Sequence, residues 1–401
     1  MQTDPASRVI GKKAFGADDQ QLFASVSGDR NPMHMDAVAA RRLITGRQVV
    51  HGVHVLLTAI ECWQSEGDAA PVSIGCNFNN PVSVGDEVVF TQSARGPHES
   101  AIEATVNGLL CSQIVLGTEP GGAAVDPAAV LAAPERRTLR IGDLAAPLEE
   151  APAYHLDKTY LLEPVAGDFS TRFPRGYRRL GARRFAAIAA LSRFVGMICP
   201  GLHSIFSSLN VRLDGRDDAY DAGPALAIGV RKYDTRVGLF DVAFRGCISG
   251  TLTAFLRPPP HPQPSVEELR KHVAADEFRG TRSLVIGGSR GLGEMTAKIL
   301  AAGGGDVIVT YAAGLDDAKR LSDEINAAGA SCAIRKFDLT TDRFEALDIE
   351  RETLDAVYFF ATPRIYRKKL GQFEPALFQE FFQFYIGRFH DLCASLEASA
   401  G

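Results

Sequence analysis

The sequence contains no Cys-x-x-Cys pair and no Cys/His cluster at zinc-ligand spacing, which removes the usual structural zinc sites. Its cysteines (Cys62, Cys76, Cys111, Cys199, Cys247, Cys332 and Cys393) are scattered and odd in number, a pattern that argues for reduced thiols and a cytoplasmic setting. The opening MQTDPASRVIGKK has no apolar core of a secretory leader, and nowhere do ~18 apolar residues follow without a break. No membrane partner is therefore expected. Charge of one sign is lacking too: a net charge of −5 and a pI near 6.0 give no support for nucleic-acid binding. What is present is ordinary for a globular protein, 46% apolar and 23% charged residues. A chain of 401 residues holds two to four domains at ~100–200 residues each.

Chemistry concentrates in Phe23–Asp36, FASVSGDRNPMHMD, continued by Val49-Val50-His51-Gly52-Val53-His54. An acid, Asp29, and an imidazole, His34, share a short loop stiffened by Gly28 and Pro32. General acid–base catalysis on a small substrate wants two titratable groups held on one rigid segment. His51-Gly52 reads as the opening of an apolar helix, whose first N–H groups have no intrahelical partner and can polarise a carbonyl. The run from Val53 to Ile60 is apolar on nearly every side, as expected of a helix enclosed by a sheet. Short helices are expected over 18–26 and 36–43. Strands at period two follow over 72–78, 88–93, 101–106 and 109–116, with turns at Val84-Gly85-Asp86 and Asn107-Gly108.

The SGDxNPxHxD and HGxH residues resemble the signature of the MaoC-like (R)-specific enoyl hydratases and dehydratases. That resemblance implies a hotdog fold, a helix wrapped by an antiparallel sheet. It also implies a catalytic pair, Asp29 and His34, that holds a water, with the Gly52 N–H facing a thioester carbonyl. Asn31, His51, Gly52 and His54 are the expected substrate-binding residues; His54 can equally be packed along its helix.

Ala123–Pro134 reads as a linker, and the pattern then partly repeats. Phe185–Met197 is a second small-residue apolar helix, stopped by Cys199-Pro200-Gly201, with strands expected over 204–213, 225–230, 239–244 and 251–256. No SGDxNPxH precedes this helix; in its place stands Arg172–Arg184, RFPRGYRRLGARR, with arginines 172, 175, 178, 179, 183 and 184. Within the resemblance this is a catalytically silent second hotdog that completes the sheet. The arginines fit either a docking site for coenzyme A phosphates or an acidic carrier protein, or a solvated face. His203, a strand-start histidine with no carboxylate nearby in sequence, reads as structural.

The proline run Pro258–Pro264 marks a boundary. Beyond it an apolar strand, Ser283–Ile286, meets Gly287-Gly288-Ser289-Arg290-Gly291-Leu292-Gly293 and then a helix, with a second strand over 306–311. Glycines are needed where backbone approaches a pyrophosphate at a helix N-terminus. This segment resembles the short-chain dehydrogenase/reductases. The resemblance implies that Gly287, Ser289, Arg290, Gly291, Leu292 and Gly293 bind the cofactor and that Asp338-Leu339 meets its adenine. Val309-Thr310-Tyr311-Ala312 offers no acid for a ribose 2′-hydroxyl, which together with Arg290 favours NADP. The sequence departs from that family at Phe359-Phe360-Ala361-Thr362, which stands for its NNAG. It also lacks Tyr-x-x-x-Lys in this region: Tyr366 is followed by Leu370 and Tyr385 by Phe389. The only such spacing, Tyr154–Lys158, lies upstream and reads as a chance match. The chain stops about where a fifth strand is expected, so the reductase part is read as truncated, a fragment of a longer protein.

The expected architecture is thus an α+β double hotdog followed by an α/β Rossmann-like, mainly parallel domain, with parts at 1–122, 140–258 and 278–401. The expected activity is interconversion of 3-hydroxyacyl and trans-2-enoyl thioesters of coenzyme A or acyl carrier protein. The hydratase would use no cofactor or metal, the third part would take NADP, and a homodimer is among the expected assemblies. Two alternatives stand beside it: a non-catalytic scaffold that holds acyl carriers and nucleotides, and a hotdog thioesterase.

Overall fold

A helix without a polar face persists in water only if other elements enclose it, and two such helices organise the N-terminal half of this chain. The computed structural model describes residues 7–43, 45–65, 69–119, 136–213, 226–258, 263–363 and 373–397. The chain forms two compact units, Met1–Pro259 and Pro260–Gly401.

In the first unit, β1 (Arg8–Ala14) leads to α1 (Ala17–Ser27), α2 (Pro32–Met35), α3 (Ala37–Arg41) and α4 (Gly52–Cys62). Side chains start the short helices: Asn31 accepts from Met33 N, and Asp36 from Val38 N and Ala39 N. Every residue of α4 from Val53 to Ile60 is buried. A valine or isoleucine costs a helix about 0.5 kcal/mol relative to alanine, whereas burying one contributes about 1.5–3 kcal/mol. Burial decides. Four strands wrap this helix: β2 (Ser73–Phe78), β3 (Glu87–Gly96), β4 (Glu99–Val106) and β5 (Leu109–Gly117).

The remainder of the unit runs through β6 (Arg137–Ile141), β7 (Lys158–Leu162), α5 (Pro174–Leu180) and α6 (Ala182–Arg193). A π-helical turn, Phe194–Ile198, extends α6 before β8 (Ser204–Arg212), β9 (Leu226–Asp234), β10 (Leu239–Arg245) and β11 (Ser249–Leu256). All eleven strands share one sheet, in the order β1-β3-β4-β5-β2-β8-β11-β10-β9-β7-β6. The order repeats itself outward from the β2–β8 seam, where Ile74 pairs with Val211 and Cys76 with Leu209 in antiparallel register. The two halves are therefore one sheet with one continuous core.

The sequence patterns missed β1, β6, β7 and α5. β1 and β6 lie at the ends of the sheet with no fully buried face, so their burial does not alternate cleanly. α5 is hidden in the arginine run, where Gly176, Arg179 and Leu180 are its buried residues. The linker at 123–134 lies outside the described residues, as do 259–262 of the proline run and Tyr366 and Leu370.

The second unit opens with α7 (Val266–Leu269), capped by the Ser265 hydroxyl and Glu268 carboxylate acting reciprocally. It continues through β12 (Arg282–Ile286), α8 (Gly291–Ala302), β13 (Asp306–Tyr311), α9 (Leu315–Ala327), β14 (Ser331–Lys336) and β15 (Ala356–Phe359). The sheet is parallel throughout, in the order β14-β13-β12-β15, and α10 (Pro375–Phe382) and α11 (Arg388–Glu397) follow. Among the described residues, no helix is long and apolar enough to cross a membrane.

Candidate active site

The loop that carries Asp29 and His34 begins where α1 stops. Gly28, at φ 75°, takes the left-handed conformation that ends the helix, and its N–H donates to Ala24 O at 2.9 Å. The chain then turns inward, so that Asp29 is only 1% exposed. Two turns of hydrogen bonding fix His34: Gln20 Nε2 donates to both His34 O and Val49 O at 2.9 Å, and Gln48 Nε2 to His34 O at 3.1 Å. The His34 Nδ1 lies 2.7 Å from Val49 O. A carbonyl only accepts, so Nδ1 carries a proton and Nε2 is the ring atom left to face a reactant.

His51, the residue before α4, is fully buried and joins them. Its Nε2 donates to Asp29 O at 3.2 Å and lies 3.9 Å from Asp29 Oδ2, while its ring stacks on His34 with centroids 3.8 Å apart. Polar atoms of Asp29, His34 and His51 all fall within 4.8 Å of one another. Three such donors invite comparison with a metal site. The two imidazole planes, however, are stacked 27° from parallel. Their in-plane lone pairs therefore run side by side instead of converging on one ion, as tetrahedral binding requires. The arrangement suits a water and a travelling proton better than a cation.

Burial raises the Asp29 carboxyl above its ordinary value, opposed by the His34 charge, by the Ser192 hydroxyl and by the Asn31 N–H. Ser192 Oγ donates to Asp29 Oδ2 at 2.7 Å and Asn31 N to Oδ1 at 3.1 Å. Burial pushes His51 well below the usual histidine range, with His34 and His54 adding to the effect. His51 is thus a neutral donor.

The other expected substrate-binding residues do different things. Asn31 is 1% exposed, and its amide donates to Gly196 O at 2.7 Å, which ties the loop to the far half of the unit. Gly52 is the first residue of α4, and a Cβ there would lie 2.8 Å from the Phe78 ring. His54 is 2% exposed. It is packed among aromatic rings, stacked on Phe23 at 4.8 Å and edge-on to Phe15 and Phe173. Burial takes its pKa to about 3. Three residues apart on one helix face, His51 and His54 both pack on the Phe23 ring.

Arg179 is also corrected. It is 8% exposed and donates to Ile60 O at 3.0 Å and Trp63 O at 2.8 Å, closing the end of α4 instead of facing a phosphate. Arg172, Arg175, Arg178 and Arg183 remain exposed. Tyr154 and Lys158 meet in the first unit, with Lys158 Nζ over the Tyr154 ring at 3.7 Å.

In the second unit the Gly-rich turn joins β12 to α8 at the carboxyl ends of the strands. Gly287 takes φ 73°, and a Cβ there would come within 2.7 Å of Ala361 N. A Cβ at Gly293 would lie 2.6 Å from Gly287 O, so only glycine lets α8 start this close to the strand. Arg290 Nε lies 3.8 Å from Asp317 Oδ2, and Leu292 is 75% exposed. Ser289 lies beside Gly314, at the loop after β13. Asp338 Oδ1 accepts from Thr340 N at 3.0 Å, and Leu339 is buried beneath it. Thr362 Oγ1 bonds to the Tyr385 hydroxyl. The glycine-opened start of α8, where backbone can come close, fits a pyrophosphate.

Comparison with known proteins then bears on the first unit. The family described as MaoC like domain matches residues 4–108. The (R)-specific enoyl-CoA hydratase of Aeromonas caviae is 32% identical over 113 residues, covering 26% of this chain and 84% of that protein. The chain belongs to the MaoC-like family. The 3-hydroxybutyryl-CoA dehydratase of Methylorubrum extorquens is 35% identical over 82 residues, 20% of this chain and 52% of that protein. The chain spans about half the length of the first two curated relatives it matches. Among solved structures, a short chain dehydrogenase from Burkholderia cenocepacia in complex with NADP matches at 24% identity, covering 30% of this chain and 51% of that one with a TM-score of 0.26.

Within the MaoC-like unit, sequence reading missed Ser192 and Gly196. They stand over 160 positions beyond Asp29, on a helix that reads only as apolar and small. The structure shows a change from α to π winding at Phe194–Ile198, a distortion common at functional sites, with Gly196 inside it.

Proposed function

We propose that the first unit hydrates trans-2-enoyl thioesters and dehydrates their 3-hydroxyacyl forms, with coenzyme A or an acyl carrier protein as the carrier. The observation that carries this is the buried Asp29–His34–His51 cluster at the open N-terminus of α4. Asp29 receives N–H and O–H donors on both oxygens, an environment that suits the carboxylate form. In hydration the carboxylate takes a proton from water as its oxygen bonds to the β-carbon. The alkene electron pair moves toward the thioester oxygen, where the Gly52 N–H receives the developing charge. His34 delivers a proton from Nε2 to the α-carbon, and the proton that Asp29 took from water passes back to His34 to close the cycle. Dehydration runs the same steps backwards. His51 anchors the loop through the Asp29 carbonyl.

Crotonyl-CoA mixed with the full chain tests this through loss of the enoyl thioester absorbance. Release of free coenzyme A instead would favour a thioesterase. Neither event, with a folded protein, would leave the scaffold reading.

For the second unit we propose an NADP-type reductase-like module, with the chain organised in three parts at 1–122, 140–258 and 278–401. The turn from Gly287 to Gly293 would hold the pyrophosphate, Arg290 the 2′-phosphate side, and Asp338-Leu339 the adenine. The cofactor would supply hydride, but the Tyr/Lys proton-transfer pair is not in this segment of the sequence. Titration of NADPH fluorescence should saturate with the native chain, and Gly293→Ala should weaken it at least tenfold. Equal binding by both proteins would remove this reading.

A further inference from the structure

The second half of the first unit carries no acid–base pair of its own, yet it forms one wall of the site. Asp29 is met there by α6 and the π-helical turn that follows it. Ser192, 5% exposed, places its hydroxyl 2.7 Å from Asp29 Oδ2. Four residues on, a Cβ at Gly196 would lie 2.5 Å from Asp29 Oδ1 and 2.7 Å from Oδ2, so the carboxylate rests against bare backbone. Gly196 O accepts from Asn31 Nδ2 at 2.7 Å, and the Met197 sulfur accepts from Arg30 N at 3.3 Å. Contacts at Asp29 and at the two residues after it therefore end on one stretch of helix. Ser192 and Gly196 stand four residues apart, the spacing that puts two residues on one helix face, and both reach the same carboxylate.

We infer that Ser192 and Gly196 are positioning residues for Asp29, which makes the half without a catalytic pair a working part of the site. The inference rests on the hydratase reading above. Ser192 fixes one carboxylate oxygen by donating to it, which leaves the other free of torsional choice, and Gly196 leaves the space that the carboxylate occupies. Three titratable side chains besides Asp29 stand around this part of the loop, of which His34 acts on the Asp29 charge together with the Asn31 N–H. His34 comes from α2 and His51 from the start of α4. Arg193 comes from α6, its side chain packed on Gly28 and its guanidinium donating to Glu163 O at 2.9 Å. None of them is altered by removal of the Ser192 hydroxyl.

The test is the pH profile of kcat/KM for crotonyl-CoA hydration, measured on the full chain, Ser192→Ala, Ser192→Thr and Asp29→Asn. The Ser192 hydroxyl favours the ionised carboxylate, so its loss should move the acid limb upward by about one pH unit, the shift expected from one charge-assisted hydrogen bond. At low pH the loss should be about tenfold larger than at high pH, and Ser192→Thr should restore the native limb. A uniform loss across pH, or an unmoved limb, would overturn the inference while leaving the hydratase reading intact. An active Asp29→Asn would instead overturn the reading itself. Gly196→Ala supplies a second arm should Ser192→Ala not fold: it should lower kcat at least tenfold with KM little changed, and native turnover would contradict the inference.

Discussion

The two halves of the first unit share a layout and differ in what they place at matching points. In each, the segment before the central helix packs against the far end of the other half's helix. In the first half that segment is the Asp29–His34 loop, and it meets Ser192 and Gly196 at the end of α6. In the second half it is α5, and it meets the end of α4. There Arg179 donates to the carbonyls of Ile60 and Trp63 and lies over the Trp63 ring at 5.0 Å. Glu61 accepts from Arg175 N at 2.9 Å and Gly176 N at 2.7 Å. One junction carries an acid and an imidazole; its counterpart is closed by an arginine and a helix cap. The fold supplies two equivalent places, and the residues decide which becomes a site.

That contrast can be broken first at its strongest point. His34→Ala should lower kcat for crotonyl-CoA hydration by about 10²–10⁴-fold, the usual scale for a general acid or base. Arg179→Ala should leave kcat within about threefold but destabilise the unit, since two buried carbonyls lose a charged donor. A loss of about 2–4 kcal/mol is expected, read from denaturant unfolding of the full chain. If Arg179→Ala abolished turnover in a folded protein, the two junctions would not be divided into chemistry and staple.

A third measurement concerns pH. The Asp29 carboxyl is held above the ordinary carboxylate range by burial. The account needs it ionised, so activity is present above its folded pKa and lost as pH falls through that value. The acid limb of kcat/KM should accordingly lie above the range of a solvent-exposed aspartate. A limb at ordinary aspartate pH would place the working carboxylate elsewhere. The smallest effect is expected at His54, whose ring serves the aromatic core. His54→Leu should change kcat less than about fivefold, and a larger loss with native stability would return His54 to the site.

What could be read from the sequence followed the range of the interactions concerned. The candidate loop is local: Asp29, Asn31 and His34 lie within one helix–turn–helix, and the glycine, proline and capping residues that shape it are adjacent in the chain. The second helix and most strands declare themselves by apolar runs and period-two burial. The 163-residue separation between Asp29 and Ser192 leaves no local trace. Nor does the difference between His51 and His54, which depends on which rings surround each one. The arginine run reads as a charged face by composition, yet Arg179 sits buried, because helical spacing turns one of the six inward.

The most direct test compares the native chain with Asp29→Asn, matched for folding by circular dichroism, in crotonyl-CoA hydration. The account predicts turnover by the native chain and a loss of at least about 10²-fold in the variant. A native chain that does not turn over, or a variant that matches it, would contradict the central claim.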